Sequence, residues 1–347
     1  MFAKKNLVAA AALLAIAGAA QAEVKLYGTL DVGFGSIEEA HDKNDTTDPG
    51  RRTTQVTNGG MMTSYLGFAG SEDLGGGLKA EFALETFLAP DTGSTLKNLA
   101  GGFWGRGSWV GLSGNFGRVA LGQYDNPIFT SGYTYNPFGS SMLVSPTMRH
   151  FYSKTVSLGF DTGWVNSVTY ESPVVQGFNA ILQFAPKETA SGSNNSYTAA
   201  GAYNNGPISA MLTYEKAGLV TGSTAYVADQ KVLNLGASYD LGAAKLFGQY
   251  TNVKTSKDAS GTVDLKNVIY QVGVSVPLND KLSVMASYGS NKLTDNDTDA
   301  SGTDRVFSLG ADYLLSKRTD VYVAFVNNTQ TGLTSGQTVA AGIKHNF

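Results

Sequence analysis

The chain has no cysteine, so no disulfide braces it, and thiol catalysis and cysteine metal sites are excluded. Histidine is nearly as scarce: only His41, His150 and His345 occur. No G-x-S-x-G or H-E-x-x-H motif is present, and "GRGSWVG" at Gly105–Gly111 opens no helix, so hydrolase, zinc-protease and nucleotide readings find no support. A Ser–His hydrolase would have to use His150, and nothing in the sequence supplies the rest of that constellation. The chain is therefore not expected to be an enzyme, and no cofactor is expected. Charged residues make up 15% of the chain with a formal net charge of −3, which gives no reason to expect nucleic acid as a partner. Beyond residue 22 no apolar run approaches the roughly 20 residues of a membrane-spanning helix. Proline is also rare: there are nine, each in or beside a connection, where a missing N–H costs no ladder bond.

The first 22 residues stand apart. Lys4 and Lys5 form a positive head, Leu7 to Ala17 is unbroken apolar sequence, and Ala20-Gln21-Ala22 offers small residues for cleavage. This is the pattern of a bacterial signal peptide, too short to span as a helix, with Glu23 as the first mature residue. Losing the two lysines takes the net charge from −3 to about −5. Residues 23–347 are expected to form one domain.

In that domain, apolar and polar residues alternate. "VKLYGTLDV" sets Val24, Leu26, Gly28, Leu30 and Val32 against Lys25, Tyr27, Thr29 and Asp31. "LKAEFALET" sets Ala80, Phe82 and Leu84 against Lys79, Glu81 and Glu85, and "KVLNLGASYD" sets Leu233 and Leu235 against Asn234 and Gly236. A period of two means strands with one apolar face. A soluble periplasmic β-protein would carry more charge on its polar faces. Here those faces are small and uncharged, and the apolar faces often end in Tyr or Phe, as in a wall between lipid and water. Backbone groups in lipid must all be paired internally, so such strands must close into a barrel.

The connections alternate in length. Short turns such as Gly114–Gly117, Asn204–Pro207 and Asp240–Ala243 alternate with long polar stretches. Among the latter are Ile37–Gly60, Pro90–Gly102, Asn126–Gly163 and Gly218–Asp229. That is the outer-membrane arrangement of short periplasmic turns and longer outer loops. Segment counting gives an all-β, antiparallel transmembrane barrel of about 16 strands, each of ~9–11 residues.

Four stretches carry a family resemblance: "SYLGFAGSEDLGGGLKAEFALE" (Ser64–Glu85), "SWVGLSGNFGRVALGQYDNP" (Ser108–Pro127), "NSVTYESPVVQGFNAILQFAP" (Asn166–Pro186) and the terminal "AAGIKHNF". They resemble the general-diffusion porins of β-proteobacteria, of the neisserial and comamonad type, and the likeness covers essentially the whole mature chain. It implies a homotrimer of barrels in a Gram-negative outer membrane, in contact with lipid and lipopolysaccharide. Each protomer would pass small hydrophilic solutes and ions through its own pore, narrowed by an inward-folded third outer loop. The terminal Phe347, on the face of Val339, Ala341 and Ile343, resembles the signal read by the barrel-insertion machinery.

A pore needs a constriction whose side chains set size and charge preference. The family places basic wall residues opposite acids on the inward loop. Arg106 in "FWGRGSW" matches a lumen-facing Arg of that pattern, and alternation from it would put Ser108 inside and Trp109 outside. Tyr65, Ala69, Gln123 and Thr169 stand where cations are common, and the loop from Asn126 to Phe160 has no Asp or Glu but does hold Arg149 and Lys154. Strand parity adds Lys25, Asp31, Lys79, Glu81, Glu85 and Glu171 as lumen candidates, and Arg118 lies one turn beyond Arg106's strand. Such a set either shapes the pore field or pairs within the wall; for Arg106 the pore role is favoured. The near balance of charge implies weak ionic selectivity. Tyr133, Tyr135, Phe138, Phe151 and Tyr152 either line the constriction, which would suit a sugar- or organic-anion-preferring channel, or pack the loop against the wall. A surface β-protein such as an adhesin is the remaining alternative.

"DNDTDASGTD" at Asp295–Asp304 spaces carboxylates as calcium loops do. Its sixth position is Ala300 and its twelfth Val306, so it is not an EF-hand. With Asp42, Asp45 and Asp48 it reads as solvated outer loop in preference to a cation bridge to lipopolysaccharide, and no metal site is expected.

Overall fold

A computed structural model describes residues 23–95, 102–152, 162–187, 194–221, 226–256 and 264–347. The expected signal peptide and Lys154 lie outside the described residues. The strands are β1 (Glu23–Ile37), β2 (Thr53–Asn58), β3 (Tyr65–Gly75), β4 (Leu78–Ala89), β5 (Ser94–Thr95), β6 (Gly107–Gly114), β7 (Gly117–Asp125), β8 (Gly163–Glu171) and β9 (Phe178–Ala185). They continue as β10 (Ser196–Asn205), β11 (Ile208–Thr221), β12 (Tyr226–Asp240), β13 (Lys245–Thr255), β14 (Leu265–Pro277), β15 (Leu282–Asp295), β16 (Ser301–Leu314), β17 (Thr319–Gln330) and β18 (Gly336–Asn346). Two helices, α1 (Pro127–Thr134) and α2 (Pro146–Phe151), lie between β7 and β8.

Consecutive strands pair antiparallel, and β1 pairs with β18 to close the sheet. β2 and β3 follow each other along the same edge of β1, facing Val32–Ile37 and Glu23–Thr29 respectively, so they are one wall strand interrupted at 59–64. β5 is a two-residue excursion beside the end of β4. The wall therefore has 16 strands, as segment counting predicts. Three of the expected long connections are partly strand: Ile37–Gly60 contains β2, Pro90–Gly102 contains β5, and pairing of Gly218 with Asp229 carries the β11–β12 ladder into the expected outer loop.

Burial is inverted relative to a soluble sheet. Phe34, Leu233 and Leu235 are 61%, 44% and 48% exposed while Asn234 and Thr213 are 0% exposed. Apolar residues face out and polar ones in, which only a lipid surround makes favourable.

The apolar core sits inside the barrel, where the inward loop meets the wall. Asn126 caps α1 by accepting from Ile128 N at 2.7 Å, with Pro127 at the first helical position. Ser145 and Pro146 start α2 in the same way, as expected for this capping chemistry. Ile128, Phe129, Met148 and Phe151 pack on Val232, Val253 and Ile269 of the wall. Phe138 and Val144 pack on Met285, Val306 and Val326. Hydrogen bonds pin the loop further: Ser308 Oγ donates to Val144 O at 2.6 Å, and Thr147 Oγ1 to Gln271 Oε1 at 3.1 Å. Gly236 gives the loop room, since a Cβ there would stand 2.3 Å from the Tyr135 ring. The loop thus occupies the β10–β16 side, and open lumen remains against β1 to β8.

Candidate pore constriction

That remaining lumen forms a cavity of about 580 Å³ between β1, β3, β4, β6, β7 and β8 on one side and Pro127, Thr130 and Tyr133 of α1 on the other. Cross-strand register builds its charged wall. Glu81 and Glu85 on β4 face Gly111 and Gly107 on β6, and Ser113 of β6 faces Arg118 of β7, which in turn faces Glu171 of β8. A period of two on each strand brings all of them to the lumen.

Arg118 is the hub. Its Nε donates to Glu81 Oε2 at 3.0 Å, and one terminal nitrogen donates to Glu171 Oε2 at 3.0 Å and to the Tyr124 hydroxyl at 3.3 Å. Tyr124 in turn donates to Glu171 Oε1 at 2.9 Å. A second group stands on Glu85, which accepts from the Arg106 guanidinium and from the Tyr27 hydroxyl. Arg106 also lies over the Tyr65 ring, 4.1 Å from its centroid, so the aromatic residue at a commonly basic position supports a cation instead of supplying one. Lys25 also borders the cavity and pairs with Glu23 at 3.4 Å, both well exposed.

Arg106, Arg118, Lys25, Glu81, Glu85 and Glu171 thus come together at one cavity. Three other candidates do not. Asp31 faces inward but is 0% exposed. Its carboxylate accepts from Met61 N and Met62 N at 2.8 Å and from the Tyr322 hydroxyl at 2.6 Å, tying the 59–64 break to the wall. It is a structural anchor, out of reach of solutes. Arg149 contacts Glu39 and donates to Leu143 O at 3.0 Å, and it borders a separate cavity of about 650 Å³ with Asp48 and Asp304. Lys79 is exposed next to the β3–β4 turn and does not border this cavity.

The parity expected around Arg106 is reversed. Trp109 faces Ala83 across the β4–β6 ladder and lines the cavity, whereas Ser108 faces Leu84 on the lipid side. Arg106 precedes β6, so alternation does not govern its side chain; it enters the lumen from the loop, held by its N–H to Glu85 O at 3.1 Å. The apolar pair Val110 and Leu112, 57% and 44% exposed, was the signal for the true parity. Tyr124 and Asp125 also line the cavity and were missed, because a register shift between Gly122 and Tyr124 breaks the alternation there. Tyr135, Phe138 and Phe151 are at most 2% exposed, so they pack the loop; Tyr133 alone of the five aromatics reaches this cavity.

In the first outer loop, carboxylates cap their own backbone. Asp48 accepts from Asp42 N at 2.8 Å and Gly50 N at 2.7 Å, and Asp45 from Thr47 N at 2.8 Å. The Thr47 hydroxyl and N–H hold Asp45, and the two backbone donors hold Asp48, below the usual carboxylate range. Among the described residues no group of three or more His, Asp or Glu has a metal-holding arrangement.

Residues 9–333 match the Gram-negative porin family. The chain belongs to the Gram-negative porins. Outer membrane porin protein 32 of Delftia acidovorans is 34% identical over 98% of this chain and 95% of its own length. The anion-selective porin from Comamonas acidovorans superposes with a TM-score of 0.79 at 29% identity, covering 94% of this chain and 100% of that one. OmpT of Vibrio cholerae, solved in a trimer form, shares the fold at 14% identity, with a TM-score of 0.71 over 94% of this chain and 99% of its own. This porin is accordingly an outer-membrane β-barrel that acts as a passive diffusion channel, with no catalytic role, and the adhesin alternative falls away.

Proposed function

We propose that this porin passes small hydrophilic solutes and ions with weak ionic selectivity, through a constriction formed by Arg106, Arg118, Lys25, Glu81, Glu85, Glu171 and Tyr133. The observation that carries this reading is pairing: Arg118 is engaged by two carboxylates and Arg106 by a third. Paired opposite charges leave little net field to be focused on a passing ion, and salt screens what remains within about 8 Å. Five carboxylates (Glu23, Glu81, Glu85, Asp125, Glu171) against three bases (Lys25, Arg106, Arg118) line the cavity, so the residual preference leans toward cations, unlike the named selectivity of the Comamonas protein. Burial of Tyr135, Phe138 and Phe151 takes three of the five loop aromatics out of the pore, and Tyr133 is the one of the five at this cavity, which favours general diffusion over a sugar-preferring channel. Single-channel recording in a potassium chloride gradient tests this: an anion-to-cation permeability ratio far above ten would overturn it.

The same reading includes a homotrimer, supported by the trimer form of a protein of this fold, and a mature chain beginning at Glu23. Intact-mass measurement of the protein extracted from outer membranes, under native and denaturing conditions, tests both. A monomer, or a mass that retains residues 1–22, would contradict them.

A further inference from the structure

Four lysines stand directly opposite one another on four successive strands: Lys216 on β11 faces Lys231 on β12, which faces Lys254 on β13, which faces Lys266 on β14. Directly opposed residues have Cβ atoms about 5 Å apart, and like charges so placed destabilise a sheet. An unbroken row of four is therefore costly unless anions offset it.

The row lies on the outer surface. Each lysine has buried, lumen-facing neighbours: Glu215 and Ala217 beside Lys216, Gln230 and Val232 beside Lys231, Val253 and Thr255 beside Lys254, and Asn267 beside Lys266. Its height is set by the same strands. Outward-facing Tyr214, Tyr250 and Tyr270, each 41–46% exposed, stand one or two outward positions from the lysines on β11, β13 and β14, all on the same side of the row because the strands alternate in direction. From Lys231 to outward-facing Tyr239 are eight residues, about 26 Å of strand or roughly 20 Å of height at a tilt of ~40°. The lysines thus sit just beyond the aromatic girdle, at the loop end of the apolar band.

Charge neutralisation from within is incomplete. Lys216 pairs with Asp229 at 2.8 Å. Lys231, Lys254 and Lys266 have no carboxylate within ion-pair distance among the described residues, and they border a cleft of about 320 Å³. Asp264, which also borders it, accepts from Asn296 Nδ2 at 2.8 Å.

The geometry points to a binding site for the phosphate groups of the outer-leaflet glycolipid, lipid A, with Lys231, Lys254 and Lys266 on the phosphates and the tyrosine girdle against its acyl chains. The site rests on the outer-membrane location and is independent of how the pore selects ions. A basic side chain near an anionic membrane surface strengthens binding roughly fivefold, so three together should contribute on the order of a hundredfold.

The test titrates the detergent-purified porin with bisphosphorylated lipid A, with its dephosphorylated counterpart and with inorganic phosphate, and compares wild type with K231Q/K254Q/K266Q by native mass spectrometry. The expected result is tight binding of bisphosphorylated lipid A to wild type, weakened about a hundredfold in the variant. Channel conductance should be equal in both proteins. Equal lipid A affinity in wild type and variant would overturn the site. So would dephosphorylated lipid A binding wild type as tightly as the phosphorylated form, or inorganic phosphate displacing lipid A as a free-anion ligand would. Should the triple variant fail to assemble, Lys254→Gln alone should weaken lipid A binding about fivefold, and no change there would also refute the site.

Discussion

The guanidinium of Arg106 lies over the ring of Tyr65, 4.1 Å from its centroid, while its terminal nitrogen engages Glu85. The ring face and the carboxylate fix the cation against the β3–β4 wall. Because Glu85 also accepts from Tyr27, the carboxylate keeps a partner when the arginine is removed.

Arg106→Ala should therefore raise conductance modestly and shift permeability toward cations, since Glu85 would lose its guanidinium partner and still face the lumen. Arg106 and Glu85 are only 15% and 14% exposed, so losing one partner should cost about 1–3 kcal/mol. Reversal potentials in one salt gradient check the direction. Adding Glu85→Gln should return the potential toward wild type. If Arg106→Ala and wild type coincide within error, Arg106 does not control the constriction.

Arg118→Ala should shift selectivity further than Arg106→Ala. It leaves Glu81 and Glu171 facing each other without the cation both now share, and a pair of like charges attracts cations more strongly than the single carboxylate exposed by the other variant. Tyr124 would keep its hydrogen bond to Glu171, so the fold around β7 should persist. Side-by-side bilayer recordings decide the order, and an equal or smaller shift for Arg118→Ala would contradict the hub arrangement.

What the sequence made legible followed from local periodicity. Leu233 against Asn234 and Val24 against Lys25 told wall from lumen, and the short turns told which strands are neighbours. What stayed hidden depended on contacts distant in sequence. The inward direction of Asp31 was readable, but its burial depends on the 59–64 break folding back to offer the N–H groups of Met61 and Met62. Arg149 sits on a helix whose orientation is set by packing, not by sequence spacing. Arg106 reached the lumen for a reason that alternation does not cover, and Trp109 was assigned to the wrong face because the count ran from a residue outside the strand. The lysine row appears only once the register of three hairpins with unequal loops is known.

Gly236→Val should loosen the inward loop. A Cβ at 236 would meet the Tyr135 ring at 2.3 Å and the Ser131 hydroxyl at 2.8 Å, and both belong to the packed stretch that follows Asn126. Overpacking of this kind costs about 1–3 kcal/mol. The barrel should still form, because strand pairing does not depend on that contact. Larger and noisier single-channel currents, with faster proteolytic cleavage between 126 and 152, are the expected outcome. Currents identical to wild type would mean that the loop is not held by the β12 wall.

Phe347 combines two roles that two variants can separate. Its N–H donates to Gly28 O at 3.1 Å and its carbonyl accepts from Gly28 N at 3.2 Å, the last rung of the β1–β18 seam. Its ring lies over Gly28 on the outer face, where a Cβ would stand 2.7 Å from the ring tip. Deleting Phe347 removes both rung and ring; Phe347→Ala keeps the rung and removes only the ring. The ring is one lipid-facing contact among many, so refolding of both variants in detergent should be nearly complete. If the terminal aromatic is what the insertion machinery reads, Phe347→Ala should fall to low outer-membrane levels in cells, close to the deletion. Normal cellular levels of Phe347→Ala alongside loss of the deletion variant would assign the requirement to closure of the seam instead.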